Sequence, residues 1–210
     1  ISLYDFYAYF ESDPSDAGGI ADVIAADRRF FATQRRADRE DQLIGIDIAR
    51  RALAYAEAVG ALDEAHAVNL LAEAPPQALR QRLADADLVI ESGALGDLLA
   101  PAMAKILDCG GRPWMLLSPR GDIDDAPLRQ LLQSRGYRIE HRNRRPLAYR
   151  QFATPEERAE VLAAVTALGR DPGDWMDEVH FKINLWLARP AADCADLPIA
   201  PFILPEEPPS

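Results

Sequence analysis

A chain of 210 residues, 49% hydrophobic and 27% charged, carries enough apolar material for one folded domain with an appended piece. It carries too much for disorder over most of its length. A formal net charge of −11 disfavours nucleic acid as a partner, because a uniformly acidic surface repels phosphate backbones; the run Arg142, Arg144, Arg145 reads as a solvated strand end. No apolar run approaches the roughly 18 residues that span a bilayer, which argues against a membrane partner. The opening ISLYDFYAYFESD has no basic segment of a secretory signal, and Cys109 and Cys194 form no CxxC; both features fit a reducing, cytoplasmic setting.

From residue 42 the pattern alternates short apolar runs with longer amphipathic ones. QLIGID (42–47) reads as a strand ending in an acid, and 48–61 as a helix with Gly60 at its C-cap. AVNLL (67–71) reads as a strand, 75–86 as a helix opened by proline, and DLVIES (87–92) as a buried-type strand. A helix over 95–111 stops at two glycines, and PWMLLSP (113–119) is a third buried-type strand. A helix over 124–136 and a strand over 137–143 follow. TPEERAEVLAAVTALG (154–169) predicts a helix with Thr154 as N-cap, Pro155 at its first position and Glu157 three residues after the cap. The last strand spans 179–190. The proline-rich stretch 191–210 reads as a tail without its own core, with IAPFIL (199–204) docked on the surface.

Strands and helices in alternation predict an α/β fold around a mostly parallel sheet covered on both faces. Such sheets bind ligands beyond the carboxyl ends of their strands, so the polar residues there carry the functional expectation. Asp47 suits a ribose diol, or an N-cap for the next helix. Asn69 and Leu70 suit a base, or a turn. Glu91 and Ser92, followed by Gly93, suit a site floor, or a helix cap. Arg120 suits an acidic substrate, or simple solvation. His66, His141 and His180 lack metal-ligand spacing, so no metal site is expected. The chain has no GxSxG, no phosphate-loop motif and no GxGxxG. Asp47 alone would suit a nicotinamide cofactor, but the missing glycine fingerprint argues against that reading.

Taken in order, LIGIDIARRALAYAEAVGAL, AVNLLAEAP, DADLVIESGALG and RPWMLLSPR, then GYRIEHRN and FKINLWLARP, resemble class I S-adenosylmethionine-dependent methyltransferases. The resemblance runs from Leu43 to Pro190, about 70% of the chain. It implies a Rossmann-like, doubly wound sheet ending in an antiparallel strand pair, with a methyltransferase-like domain over 1–190 and the tail over 191–210. It implies S-adenosylmethionine as cofactor, held by Asp47, Ile48, Asn69, Leu70, Glu91, Ser92 and Gly93, and a small-molecule methyl acceptor. Where a general base is needed, Glu91 and His141 are the candidates. The opening runs LYDFYAYF and AADRRFFATQRR resemble a bacterial subgroup of these enzymes.

The family's first strand and glycine-rich loop have no match in residues 1–41, although that strand normally lies mid-sheet. Three arrangements would close the gap. The strand lies upstream of Ile1; ISLYDFY supplies it with a rebuilt loop; or another chain supplies it by swapping, giving a homodimer. In the first case 2–10 and 19–36 are helices of a lid, with Tyr4, Tyr7 and Tyr9 as candidates to line the substrate pocket, or as a helix face packed on the sheet. A non-catalytic methyltransferase-like binding or assembly domain is the alternative function.

Overall fold

The computed structural model describes residues 19–34, 40–141, 143 and 145–198, the side chains of Ile20 and His141 excepted. The chain is a mixed α/β protein of two compact units, Ile1–Pro75 and Pro76–Ser210. Tyr4, Tyr7, Tyr9, Arg142, Arg144 and the segment 199–204 lie outside the described residues.

The first unit contains α1 (Ile20–Gln34), β1 (Ile44–Asp47), α2 (Arg50–Ala58) and β2 (Glu64–Ala67). β1 and β2 pair in parallel, Ile44 opposite Glu64 and Asp47 opposite Ala67. α2 turns inward on Leu53, and Gly60 ends it in the left-handed region at φ +78° with its N–H on the Glu57 carbonyl. At Gly45 any side chain would collide with Leu62, which lets β1 lie close under the α2–β2 connection. The second strand is therefore Glu64–Ala67 and not 67–71. The Asn69 side-chain oxygen takes the N–H groups of Leu71 and Ala72 at 3.0 and 3.2 Å, and this turn ends the strand early.

Tyr55 on α2 donates its hydroxyl proton to the buried Asp27 carboxylate on α1, and Arg28 reaches the Ala58 carbonyl at 2.7 Å. The Asp27 bond, then burial, push the Tyr55 phenol up to about 12. The protonated phenol is the form the fold prefers, so this contribution is complete below pH 10 and disappears as pH rises through about 12. Urea midpoints measured between pH 9 and 12 should fall more steeply for the wild type than for Tyr55→Phe. Parallel curves would refute the assignment.

The second unit starts with α3 (Gln77–Ala84), β3 (Leu88–Ile90), a 3-10 turn (Gly96–Leu98), α4 (Leu99–Leu107), β4 (Trp114–Leu117) and α5 (Ala126–Ser134). β5 (Tyr137–His141), β6 (Leu147–Gln151), α6 (Pro155–Ala167), α7 (Pro172–Trp175), β7 (His180–Ile183), β8 (Trp186–Pro190) and α8 (Ala191–Asp196) complete it. The main sheet runs β3-β4-β8-β5. β3 is parallel to β4, while β8 is antiparallel to both its neighbours, so three strands share a direction and β8 opposes them. The expected antiparallel end pair is thus β5 with β8. β3 lies at the sheet edge with Leu88 and Ile90 exposed, and its three residues make it a short edge.

α4 buries Leu99, Ala102, Met103, Ile106 and Leu107, a continuous stripe at helical spacing. Met115 and Leu117 of β4, Leu128 and Leu132 of α5, and Trp186 and Ala188 of β8 are buried as well. Each such side chain contributes about 1.5–3 kcal/mol on burial. Gly110, at φ +98°, stops the helix as expected.

The predicted strand over 179–190 is two strands in two sheets. β7 pairs with β6, a strand not anticipated, and β8 enters the main sheet. The switch falls at Asn184 and Leu185, whose N–H groups bond the Pro119 carbonyl at 3.0 Å and the Asn143 side-chain oxygen at 2.8 Å. α6 has the anticipated cap: the Thr154 hydroxyl accepts the Glu157 N–H at 3.1 Å. Bonds from Arg150, then from the Ala153 N–H, hold the Glu157 carboxyl down at about 2. A second, smaller core gathers Val161, Val165, Met176 and Phe181 with Tyr149, Phe152 and Trp175. Residues 191–196, read from sequence as the start of a tail, form α8 and bury Cys194.

At Gly121 an added Cβ would stand inside the Trp175 indole, 2.7 Å from its Cβ. Gly121→Ala should displace Trp175 from this smaller core and cost about 1–3 kcal/mol. An unchanged urea midpoint would show that the ring moves freely.

Candidate functional site

The carboxyl ends of β3 and β4 lie side by side because the two strands are parallel neighbours. Glu91 extends the ladder one residue past β3, its N–H on the Leu116 carbonyl at 2.9 Å. Its side chain is 7% exposed. One carboxylate oxygen accepts the Leu95 N–H at 3.2 Å, bracing the loop before the 3-10 turn; the other, Oε2, is buried and takes no hydrogen-bond partner among the described residues. A buried carboxylate oxygen is costly without a donor, so this atom is the strongest single sign of a ligand group here. Ser92 is exposed and caps no helix.

Gly93 is buried, with φ +84°, a region that strains any other residue. The place of its missing Cβ lies 3.4 Å from the Ser118 carbonyl and 3.4 Å from the Tyr149 ring. Tyr149 therefore closes over the Gly93 turn from the β6–β7 hairpin. It sits at a register shift between Ala148 and Arg150, and its ring meets Phe181 edge-on at 5.3 Å. Sequence reasoning missed Tyr149; the alternation of Leu147, Tyr149 and Gln151 was the available signal. Ser118, at the end of β4, is buried at 6% exposure.

Arg120 is no solvated arginine. Its Nε donates to Asp122 Oδ1 at 3.0 Å, its Nη2 donates to Asp122 Oδ2, and its guanidinium lies 5.0 Å from the Phe181 ring centre. Asp122 thus neutralises the charge that an acidic substrate would need. Arg170 holds the same loop, donating from Nη1 to the carbonyls of Gly121 at 2.6 Å and Ile123 at 3.0 Å. His141 ends β5 opposite Trp186 in the ladder, and its side chain lies outside the described residues.

In the first unit, Asp47 ends β1 and is exposed. Its Oδ1 accepts the Ala49 N–H at 2.7 Å and braces the turn, but the helix starts only at Arg50 with Ala49 as its N-cap, so Asp47 does not cap it; Oδ2 has no partner among the described residues. Ile48 follows it at 73% exposure. Asn69 and Leu70 lie beyond β2. The Asn69 side-chain oxygen is committed to its turn, and Leu70 is half-buried.

Among the described residues no group of three or more His, Cys, Asp or Glu is placed to hold a metal ion, and no helix is long and apolar enough to cross a membrane. His66, read as a loop residue, lies in β2 and contacts Glu64 at 2.7 Å. Compared with family models and with curated proteins, the chain matches none.

Proposed function

We propose that this chain is an S-adenosylmethionine-dependent methyltransferase acting on a small-molecule acceptor, on a Rossmann-like, doubly wound sheet. The observation that carries the reading is β8: a strand reversed between β4 and β5, where the resemblance calls for an antiparallel end pair. The residue chemistry is compatible. Asp47 would hold the ribose hydroxyls through its free Oδ2 while its other oxygen keeps the turn. Glu91 Oε2 would take an N–H or O–H at the end of β3, beside the Gly93 backbone. S-adenosylmethionine, when bound, supplies an activated methyl group. The residues' work is then to align the acceptor with it and to exclude water, and Tyr149 over Gly93 serves the second task.

Calorimetric titration with S-adenosylhomocysteine tests the reading. Micromolar binding is the expected result, and methyl transfer from labelled donor to a metabolite panel would then follow. The second reading is a non-catalytic methyltransferase-like binding or assembly domain. Absence of binding would favour that reading.

A further inference from the structure

Three polar groups around the Gly93 turn keep unused hydrogen-bonding capacity. The first is Glu91. Its bond to the Leu95 N–H fixes the carboxylate, and Oε2, shielded from solvent, bonds no described residue. Among the described residues no arginine, lysine or histidine forms an ion pair with it. The nearby guanidinium groups are committed elsewhere. Arg120, whose Nη1 lies 3.9 Å from the place of a Gly96 Cβ, pairs with Asp122, and Arg150, next to Tyr149 in β6, pairs with Glu157 at 2.6 and 3.2 Å.

The other two are hydroxyls. Ser118 is buried at the end of β4, and its carbonyl lies 3.4 Å from the place of a Gly93 Cβ. The ring carbon that carries the Tyr149 hydroxyl lies 3.4 Å from the same point. Neither hydroxyl bonds any described residue. Buried polar groups in a folded protein are nearly always paired, so a carboxylate oxygen and two hydroxyls gathered at one turn call for a ligand. The turn lies beyond the carboxyl ends of the parallel strands β3 and β4, where open α/β sheets take ligands.

The hairpin that carries Tyr149 is anchored by other residues. Asn184 donates its N–H to the Pro119 carbonyl at 3.0 Å, and Arg170 holds the carbonyls of Gly121 and Ile123. The Tyr149 ring can therefore turn off Gly93 without breaking a hydrogen bond, giving up its edge contact with Phe181.

We propose that Glu91 Oε2 and the hydroxyls of Ser118 and Tyr149 bind the polar head of the methyl acceptor, and that this head bears an N–H or O–H: an alcohol, a phenol or an amine. Tyr149 turns off Gly93 to admit it. As a carboxylate oxygen, Oε2 only accepts, so it selects a proton donor and rejects an ether or a second carboxylate. The two hydroxyls either donate or accept, and so serve both kinds of head. Naming the bound molecule a methyl acceptor rests on the methyltransferase reading; its binding does not.

Two-dimensional NMR of the full chain at pH 7 tests this with phenol, aniline and anisole, three probes of similar shape. Each is titrated with and without saturating S-adenosylhomocysteine. Phenol or aniline should shift the amides of residues 91–96, 118 and 147–151, and anisole, which has no donor, should leave them in place. The tighter of the two identifies the head as hydroxyl or amino. Glu91→Gln keeps an oxygen for the Leu95 N–H and replaces Oε2 by a donor; it should weaken the tighter probe roughly ten-fold. Tyr149→Phe removes only a hydroxyl; it should weaken that probe about three-fold at an unchanged urea midpoint. Equal shifts with anisole, no shift under either condition, or undiminished binding in either variant would overturn the proposal. Probe binding without S-adenosylhomocysteine binding would support the subsite and count against the methyltransferase reading. S-adenosylhomocysteine binding without probe binding would overturn the subsite and leave that reading standing.

Discussion

Arg189→Ala is expected to cost about 3 kcal/mol of stability and to lower the thermal midpoint by roughly 6–12 °C. Arg189 is fully buried in β8, and its guanidinium serves three neighbours. It donates in parallel to the two Glu140 oxygens of β5 at 2.7 and 2.9 Å, donates to the Leu197 carbonyl beyond α8 at 2.7 Å, and lies 4.9 Å from the Trp114 ring centre of β4. Removing it opens a void in β8, takes the two parallel bonds from Glu140 and frees the chain after α8. Glu140 is 21% exposed, so water relieves part of its charge, and the expected cost sits at the low end of the range for broken buried pairs. Arg189→Lys keeps the charge but loses the planar fork, and should fall between the two. Urea unfolding at pH 7 measures all three proteins. An alanine variant within 0.5 kcal/mol of the wild type would mean that the strand order does not depend on this pair.

The largest functional effect is expected at Asp47. Asp47→Ala should weaken S-adenosylhomocysteine by about 10- to 100-fold, the worth of hydrogen bonds to a charged acceptor. The alanine variant also loses the Ala49 N–H bond of the turn. Asp47→Asn restores an oxygen for that turn and removes the charge, so it separates the two roles. If the asparagine variant binds like the wild type while alanine does not, Asp47 holds the turn and not the ribose. Equal loss in both places the carboxylate on the ligand. Equal binding in all three proteins would remove Asp47 from the site.

What the sequence made legible was whatever is written in local spacing. The α4 stripe, the Thr154 cap with Glu157 after it, and the glycines at 60 and 110 follow from helical geometry and left-handed backbone, which neighbouring residues suffice to specify. The parallel pairs β1–β2 and β3–β4 follow from apolar runs separated by helices. What escaped depends on residues far apart. β7 and β8 form one apolar stretch in sequence, and only the bonds of Asn184 to Pro119 and of Leu185 to Asn143 divide them. AVNLL has strand composition, yet the Asn69 side chain folds it into a turn. At the site, Glu91 was visible as a strand-end acid, but its unpartnered oxygen was not. Arg120 was visible as a charge, and its cancellation by Asp122 two residues later was not. Tyr149 reaches Gly93 across more than fifty positions, a distance no local pattern encodes.

The reversed strand also sets a timetable for biosynthesis. β4 and β5 never pair with each other; each waits for β8, about seventy and fifty residues further along the chain. A growing polypeptide can form α4 and α5 as it emerges, but the seam between β4 and β5 stays open until Pro190 has been added. Until then the inner flanks of both strands are available to any passing extended segment, and the contacts that close them carry a high loop-closure cost. Ribosome pausing or premature release before Pro190 is added would therefore yield a sticky intermediate, the species on which a chaperone would act.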